Sequence, residues 1–217
     1  MTDNPDASNA RSAAGPQGRP DCAARRAGVG DDGSVQIPAD LVDRVRAAVA
    51  GGGTRWVGVD GFGASGKTTI AARLAELVDR AVVVHVDDFA RPDVQGWERD
   101  RFLRQVVYPL RSGVAARYQR WDWATNRGEE WIELEPGSTM IIDGVSSTDT
   151  RLRISWDFTL WVSAPFEVRL RRARERDGET MMDTWLNDWI PSENAYFAAQ
   201  RPDLRADLII SGDCGQR

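Results

Sequence analysis

The stretch Gly61-Phe62-Gly63-Ala64-Ser65-Gly66-Lys67-Thr68 decides the fold of this chain. It matches the pattern G-x-x-x-x-G-K-[ST], follows the apolar run from Trp56 to Val59 and precedes a segment with helical periodicity. Glycines let successive backbone N–H groups turn towards one phosphate, and the following helix directs the positive end of its dipole at the same point. The stretch therefore predicts a phosphate-binding loop between a strand and a helix; the alternative is a glycine-rich turn that binds nothing.

The side chains at the end of this loop indicate the ligand. Lys67 is the only lysine among the 28 basic residues, and its ammonium can reach the β and γ oxygens of a triphosphate. The Thr68 hydroxyl can hold Mg²⁺. We therefore expect ATP and Mg²⁺ here, with nucleotide contacts from Gly61, Gly63, Ala64, Ser65, Gly66, Lys67, Thr68 and Thr69.

Short apolar runs alternate with amphipathic segments along the rest of the chain. The runs are nearly continuous in Val and Ile, which is typical of strands covered on both faces in a parallel sheet. The alternation predicts an α/β fold, a three-layer sandwich with a parallel sheet. Predicted strands are 56–59, 81–86, 140–142, 158–162 and 208–210, and predicted helices are 67–78, 98–110, 166–176 and 181–200, after a first helix that starts at Pro38 and ends before Gly51.

Composition divides the chain into two parts. Residues 1–34 have almost no large apolar side chains and are predicted to be a disordered tail, whereas residues 35–217 form one domain. Residues 117–134 interrupt the alternation with three tryptophans, and we expect a hairpin or excursion over the carboxyl ends of the strands, where open α/β sheets bind ligands.

Charge and composition exclude several classes of function. A formal net charge of -5 and the lack of a basic block disfavour nucleic acid as a partner. No run of 18 apolar residues and no secretory pattern is present, so we expect no membrane span and a cytoplasmic protein. Cys22 and Cys214 have no metal-site spacing, and neither a disulfide nor zinc is expected. A homo-oligomer is left open.

Carboxylates follow two of the predicted strands. Asp87 and Asp88 end the second strand, and Asp143 ends the strand that contains Ile142. A carboxylate in this position can accept the proton of an acceptor hydroxyl or help to hold the metal. The alternatives are a solvated pair or a helix cap for Asp87 and Asp88, and a simple Asp-Gly turn for Asp143. His85 is predicted to be a satisfied core residue.

Arginines are concentrated on the predicted helix 166–176. Arg169, Arg172 and Arg176 are three and four positions apart, so they lie on one face. Such a face is suited to binding the charge that develops on phosphate oxygens during transfer. The alternative is a solvated basic face in a chain rich in arginine.

In this order, the loop, the Asp-Asp-Phe strand end, the Trp121-Asp122-Trp123 segment, the Asp143-Gly144 strand end and the arginine helix resemble the uridine kinase-like branch of P-loop kinases. The resemblance covers about residues 56–212. It implies a P-loop NTPase fold of the nucleoside monophosphate kinase type and ATP-dependent transfer of phosphate to a small hydroxyl-bearing substrate.

The resemblance also implies roles for individual residues. Asp87 matches the general base, Lys67 and Thr68 match the phosphate and Mg²⁺ ligands, and Asp143 lies near the metal together with Asp87. Arg172 and Arg176 match arginines of a lid, here residues 169–180. Acceptor contacts are expected from Asp88, Phe89, Trp121, Trp123 and Asn126.

The chain departs from uridine kinases around the acceptor. Ala90 takes the place of an aromatic residue, and Asn126 takes the place of a base-contacting histidine. A nucleoside-like acceptor is the first expectation. The alternatives are another small hydroxyl metabolite, such as a vitamin or an antibiotic, and a P-loop protein that binds or hydrolyses ATP without being a kinase.

Overall fold

The computed structural model describes residues 25–26, 28–29, 35–91, 94, 96–122, 125 and 127–212. Two helices each contain a π turn, at Leu103–Val107 and Trp185–Trp189, and short 3-10 turns lie at Val86–Phe89, Thr150–Leu152 and Glu179–Met181. The strands are β1 (Arg25–Arg26), β2 (Gly28–Val29), β3 (Val35–Gln36), β4 (Arg55–Gly61), β5 (Ala81–His85), β6 (Ala116–Asp122), β7 (Arg127–Leu134), β8 (Thr139–Asp143), β9 (Phe158–Ser163) and β10 (Leu208–Ser211). The helices are α1 (Ala39–Ala48), α2 (Lys67–Leu77), α3 (residues 99–111), α4 (Phe166–Asp177), α5 (residues 182–200) and α6 (Pro202–Arg205).

A parallel sheet forms the centre of the structure. Its strand order is β1-β10-β9-β4-β8-β5, so β4, which leads into the phosphate loop, lies between β8 and β9. In the register of the sheet, Asp143 is opposite both Val59 and His85. The carboxyl ends of three strands therefore meet at one edge, and they bring the loop, Asp87 and Asp143 to the same region.

Helices cover both faces of this sheet, which confirms the predicted three layers. Trp56 and Val57 are adjacent in β4 but belong to different hydrophobic clusters, because successive side chains of a strand point to opposite faces. One cluster packs β4, β5 and β8 against α3 and the β6–β7 hairpin. The other packs β4, β8, β9 and β10 against α1 and α2. All five predicted strands and all five predicted helices are present.

The first helix illustrates why the predicted elements form. Leu41, Val42 and Val45 are its buried residues, and their spacing places them on one side of the helix. Pro38 precedes the first turn of the helix. A backbone N–H at this position would have no carbonyl partner within the helix, so a proline there costs no hydrogen bond. The periodicity in the sequence is therefore also the pattern of burial.

The interruption at residues 117–134 is an antiparallel hairpin of β6 and β7. Its register shifts between Gln119 and Trp121. The hairpin packs on α3 and on the turn Val86–Phe89, at the carboxyl end of β5. This agrees with the predicted position over the strand ends.

Short strands also occur within the predicted tail. Arg25–Arg26 pairs with β10, and Gly28–Val29 pairs with Val35–Gln36. The rest of residues 1–34, including Cys22, lies outside the described residues, as does Cys214, so the disorder of that part stays a prediction. In the described part of the chain, no helix has both the length and the apolar character needed to cross a bilayer.

Candidate active site

The phosphate loop has the backbone conformation that its sequence predicts. Gly61 and Gly66 have φ of +154° and +98°, values that side-chain-bearing residues rarely adopt. Gly66 immediately precedes α2, so the free N–H groups of the first helical turn face the loop. The loop thus presents backbone donors and the helix N-terminus to one point.

Lys67 lies at this point with 7% of its surface exposed. Its Nζ donates a hydrogen bond to the Phe62 carbonyl at 2.8 Å, which folds the side chain back across the loop. Ser65, within the loop, is completely buried. The only ammonium among the described side chains is therefore held inside the phosphate cradle, where the sequence predicts it.

Thr68 and Asp143 lie side by side next to the loop. Thr68 Oγ1 donates a hydrogen bond to Asp143 Oδ2 at 2.8 Å. Asp143 is 2% exposed, and its Oδ1 is buried without a hydrogen-bond partner among the described residues. A buried carboxylate oxygen with spare acceptor capacity beside a hydroxyl fits Mg²⁺, which binds one or two protein oxygens together with phosphate oxygens.

His85 shares the same carboxylate oxygen. Its Nδ1 is 2.9 Å from Asp143 Oδ2, so the ring has a partner, as predicted. The side chain is 41% exposed and therefore does not belong to the core, which corrects that part of the prediction. The hydrogen bond to Asp143 raises the pKa of His85 against the opposing effect of burial, and the charges of Asp143, Asp88 and Asp87 add to the increase.

Asp87 lies in the turn Val86–Phe89, directly after β5. The residue is exposed to solvent, but the protein atoms around its carboxyl group partly desolvate it and so raise its pKa, and repulsion from Asp143 adds to the increase. The positive charges of Lys67, His85 and Arg176 oppose it. Asp87 is therefore within electrostatic reach of the Lys67 ammonium and of Asp143, and its role as a base stays a prediction.

Asp88 and Phe89 differ from Asp87 in their surroundings. Asp88 Oδ2 accepts a hydrogen bond from the Tyr118 hydroxyl at 3.0 Å. Phe89 is completely buried and stacks on Tyr118, with ring centroids 4.9 Å apart. A ring without exposed surface cannot contact an acceptor, so the predicted ligand contact of Phe89 is corrected to a role in core packing.

Of the two tryptophans predicted to contact the acceptor, the structure describes Trp121. It is partly buried, and its Nε1 has no hydrogen-bond partner among the described residues. The Arg91 guanidinium lies 5.7 Å from the centre of its ring. Trp123 and Asn126 lie outside the described residues, and their roles stay predictions.

The predicted arginine face is directed at the loop, but its members differ. Arg172 donates to the Ala64 carbonyl at 3.5 Å. Arg176 pairs with Asp177 through two hydrogen bonds of 2.8 and 2.9 Å and also acts on the pKa of Asp87. Arg169 is buried and ion-paired at 3.4 Å, so it is not free to bind phosphate; its place on the predicted charge-binding face is corrected to a structural one.

Two buried carboxylates at the loop were not predicted. Asp60, 1% exposed, accepts hydrogen bonds from the Tyr196 hydroxyl at 2.6 Å and from the Thr148 hydroxyl at 2.7 Å. Its position at the end of an apolar strand, just before the glycine loop, is a signal that could have identified it. Glu193 accepts a hydrogen bond from the Gly63 N–H at 3.0 Å, and no pattern in the sequence of α5 points to that contact.

Two cavities open elsewhere on the described surface. One of about 430 Å³ lies along the start of α3, between Trp97 and Arg104, and the other, of about 260 Å³, lies between Trp156 and Arg205. Neither is lined by a predicted site residue. The larger cavity is connected to the site through one residue, because Arg101 in its wall donates a hydrogen bond to the Asp88 carbonyl at 2.9 Å.

The strand order and the loop together define a P-loop nucleotide-binding protein of the α/β class. Comparison with known proteins narrows this class. Over 143 residues the chain is 30% identical to uridine kinase from Proteus mirabilis, an alignment that covers 56% of this chain and 67% of that one. The chain belongs to the uridine kinase-like family of P-loop kinases, which confirms the resemblance seen in the sequence.

More distant similarities agree with this family. The chain is 24% identical over 193 residues to nicotinamide riboside kinase from Saccharomyces cerevisiae, covering 72% of this chain and 80% of that one. A solved structure described as a possible uridine kinase from Bacillus stearothermophilus has a TM-score of 0.59 at 19% identity and covers 79% of this chain and all of that one. The structural likeness shows the fold. No protein-family model matches the chain.

Proposed function

We propose that this protein is a kinase that transfers the γ-phosphoryl group of ATP to a hydroxyl group of a nucleoside-like acceptor. The observation that carries the proposal is the convergence of Lys67, Asp87 and Asp143 at one edge of the sheet. The charges of Lys67 and Asp143 are both close enough to Asp87 to shift its pKa. Family membership supports the class of reaction, and the cradle supports a triphosphate as donor.

The residues divide the work of the reaction between them. Backbone N–H groups of the loop and the Lys67 ammonium bind and orient the phosphates. Asp87 accepts the proton of the acceptor hydroxyl as the new oxygen–phosphorus bond forms, and the bond from the γ-phosphorus to its bridging oxygen breaks to release ADP. The raised pKa of Asp87 makes its carboxylate a stronger base than an aspartate with the ordinary pKa.

The proposal includes Mg²⁺, held by Thr68 and Asp143. When bound, the ion neutralises charge on the phosphate oxygens. The chain supplies for it the hydroxyl of Thr68 and the Oδ1 of Asp143, which has no hydrogen-bond partner among the described residues. Arg172 and Arg176 are proposed to close over the phosphates from the side of α4, since both already face the loop or Asp87.

The test is a screen for acceptors. The protein, ATP and Mg²⁺ are incubated with nucleosides, vitamins and aminocyclitols, and mass spectrometry follows the gain of one phosphate by each compound. Lys67→Ala serves as the inactive control. A nucleoside that gains phosphate supports the proposal. If a vitamin or an aminocyclitol gains phosphate instead, the proposed nucleoside-like acceptor is wrong and that compound class is the acceptor.

Release of ADP separates a kinase from a protein that hydrolyses ATP. A kinase releases ADP at an appreciable rate with the acceptor present, whereas a hydrolase needs none. Equal rates of ADP release with and without every acceptor would contradict the proposal.

A further inference from the structure

One residue of the phosphate loop, Gly63, is held by hydrogen bonds from both of the long helices that follow β9. Glu193 Oε1, on α5, accepts the Gly63 N–H at 3.0 Å. Arg169 Nη1, on α4, lies 3.4 Å from the Gly63 carbonyl oxygen and 3.4 Å from Glu193 Oε2. The N–H and the carbonyl of Gly63 are therefore both hydrogen-bonded to members of one ion pair. That ion pair lies on α4 and α5, outside the strand β4 and the helix α2 that flank the loop.

The ion pair is buried, so the charge of each residue is stabilised mainly by the charge of the other. Arg169 and Glu193 are each 7% exposed. A charge with so little contact with water is costly unless a partner neutralises it. The Arg169 guanidinium also lies 4.5 Å from the centre of the Phe62 ring, so it contacts two consecutive residues of the loop.

The contact leaves no space at Gly63. A Cβ atom added there would lie 2.6 Å from Glu193 Oε1 and 2.6 Å from the Trp185 ring. Trp185 and Glu193 are eight positions apart on α5, and the π turn Trp185–Trp189 underwinds the helix so that both reach the same loop residue. Helix, ion pair and loop are thus packed as one unit.

The Glu193 carboxylate is also close enough to act on the cradle. Burial raises its pKa, whereas the Gly63 N–H, the Lys67 ammonium and the Arg169 guanidinium oppose the increase. A carboxylate that interacts with Lys67 competes with phosphate for the same positive charge. Neutralisation by Arg169 limits that competition.

We propose that Glu193 and Arg169 are positioning residues for ATP: Glu193 fixes the Gly63 amide, and Arg169 neutralises Glu193 so that the charge of Lys67 is kept for the triphosphate. This inference rests on the proposed function, because it assumes that ATP is the ligand of the cradle. A purely structural role for the two residues would make the double variant at least as damaging as either single one. Our inference instead predicts that removing both charges weakens ATP binding less than removing the Arg169 charge alone.

The test compares Arg169→Met, Glu193→Gln and the double variant by titration calorimetry with ATP. Methionine keeps much of the arginine stem, and glutamine keeps an oxygen that can accept the Gly63 N–H. The matched control is the pair Arg171→Met and Glu175→Gln, an exposed ion pair on the same helix at 3.9 Å. Thermal unfolding of every variant without nucleotide reports on folding separately.

We expect Arg169→Met to weaken ATP binding by about tenfold or more, and the double variant to return to within about threefold of the wild type. Glu193→Gln keeps an oxygen for the Gly63 N–H and removes the charge that competes for Lys67, so it should bind ATP more tightly than the wild type. The control pair should change nothing. Equal weakening in Arg169→Met and in the double variant, or none in Arg169→Met, would overturn the inference while the proposed function stands. Wild-type protein that binds no ATP would overturn both.

Discussion

The Thr68 hydroxyl donates a hydrogen bond to Asp143 Oδ2 across 2.8 Å, joining the first turn of α2 to the carboxyl end of β8. The two residues are 75 positions apart in the chain. Parallel neighbours in the sheet bring them together, because β4 and β8 end at the same edge. The proposed oxygen ligands of Mg²⁺ are therefore positioned by strand order.

The variant Thr68→Val tests this arrangement. Valine has a similar shape but no hydroxyl, so we expect the Mg²⁺ concentration for half-maximal activity to rise by about tenfold or more. ATP binding in the presence of EDTA should stay within about twofold of the wild type. The measurement is a Mg²⁺ titration of ADP formation, and an unchanged Mg²⁺ requirement would contradict the assignment.

Asp87 and Asp88 should differ in their effect on turnover. Asp87→Asn removes the proposed base, and we expect kcat to fall by about 10²–10⁴-fold with ATP binding retained. Asp88→Asn should lose less than about tenfold, because asparagine can still accept the Tyr118 hydroxyl. Steady-state kinetics of both variants, with ATP affinity measured separately, make the comparison. A larger loss in Asp88→Asn would transfer the role of base to that residue.

Gly212 should be required for the shape of the phosphate loop. A Cβ atom there would overlap the Ser65 carbonyl oxygen, an overlap that only movement of the backbone can relieve. We expect Gly212→Ala to lower the free energy of unfolding by about 1–3 kcal/mol and to weaken ATP binding.

Gly52→Ala is the matched control for this substitution. Apart from its chain neighbours, no atom of the described residues lies within 4 Å of an added Cβ at Gly52, so the stability and ATP affinity of this variant should match the wild type. Denaturant unfolding and calorimetry of both variants make the measurement. A Gly212→Ala protein that is indistinguishable from Gly52→Ala would show that the loop tolerates the change.

Asp149 should make stability depend on pH below neutrality. Burial alone would raise its pKa, but hydrogen bonds from Arg151 and Gln200, with the Arg99 guanidinium nearby, hold it well below the ordinary value of 3.8. A depressed pKa means that the folded state favours the ionised carboxylate. The stabilisation is therefore present above pH 3.8 and is lost as the pH falls below it.

We expect Asp149→Asn to cost about 2 kcal/mol at pH 7 and to lower Tm by roughly 4–8 °C. The difference from wild type should narrow as the pH falls below about 4. Asp203→Asn is the control, since Asp203 is also ion-paired with an arginine but is 16% exposed where Asp149 is completely buried, and its loss should be smaller. Thermal unfolding from pH 3 to 7 makes the test, and a constant difference across that range would contradict it.

The sequence alone determined the phosphate loop and the elements around it. The glycine spacing before Lys67 encodes a local backbone conformation. The periodicities of apolar residues that predict helices and strands are also local, so the loop and the elements can be predicted without knowledge of tertiary contacts. The ends of the predicted strands carry Asp87 and Asp143, and knowledge that parallel strands end together was enough to place both near the loop.

Tertiary structure decided which of the predicted site residues lie at the loop and which pack in the core. Phe89 follows Asp88 in the sequence, yet its ring is completely buried against Tyr118 from the hairpin, which no local pattern encodes. Arg169 and Arg172 share a helix face, but Arg169 pairs with Glu193 on α5 whereas Arg172 donates to the Ala64 carbonyl of the loop, and the packing of α4 on α5 sets the first of these contacts. Contacts between segments far apart in the chain depend on how whole elements pack, and side-chain spacing within one element does not contain that information.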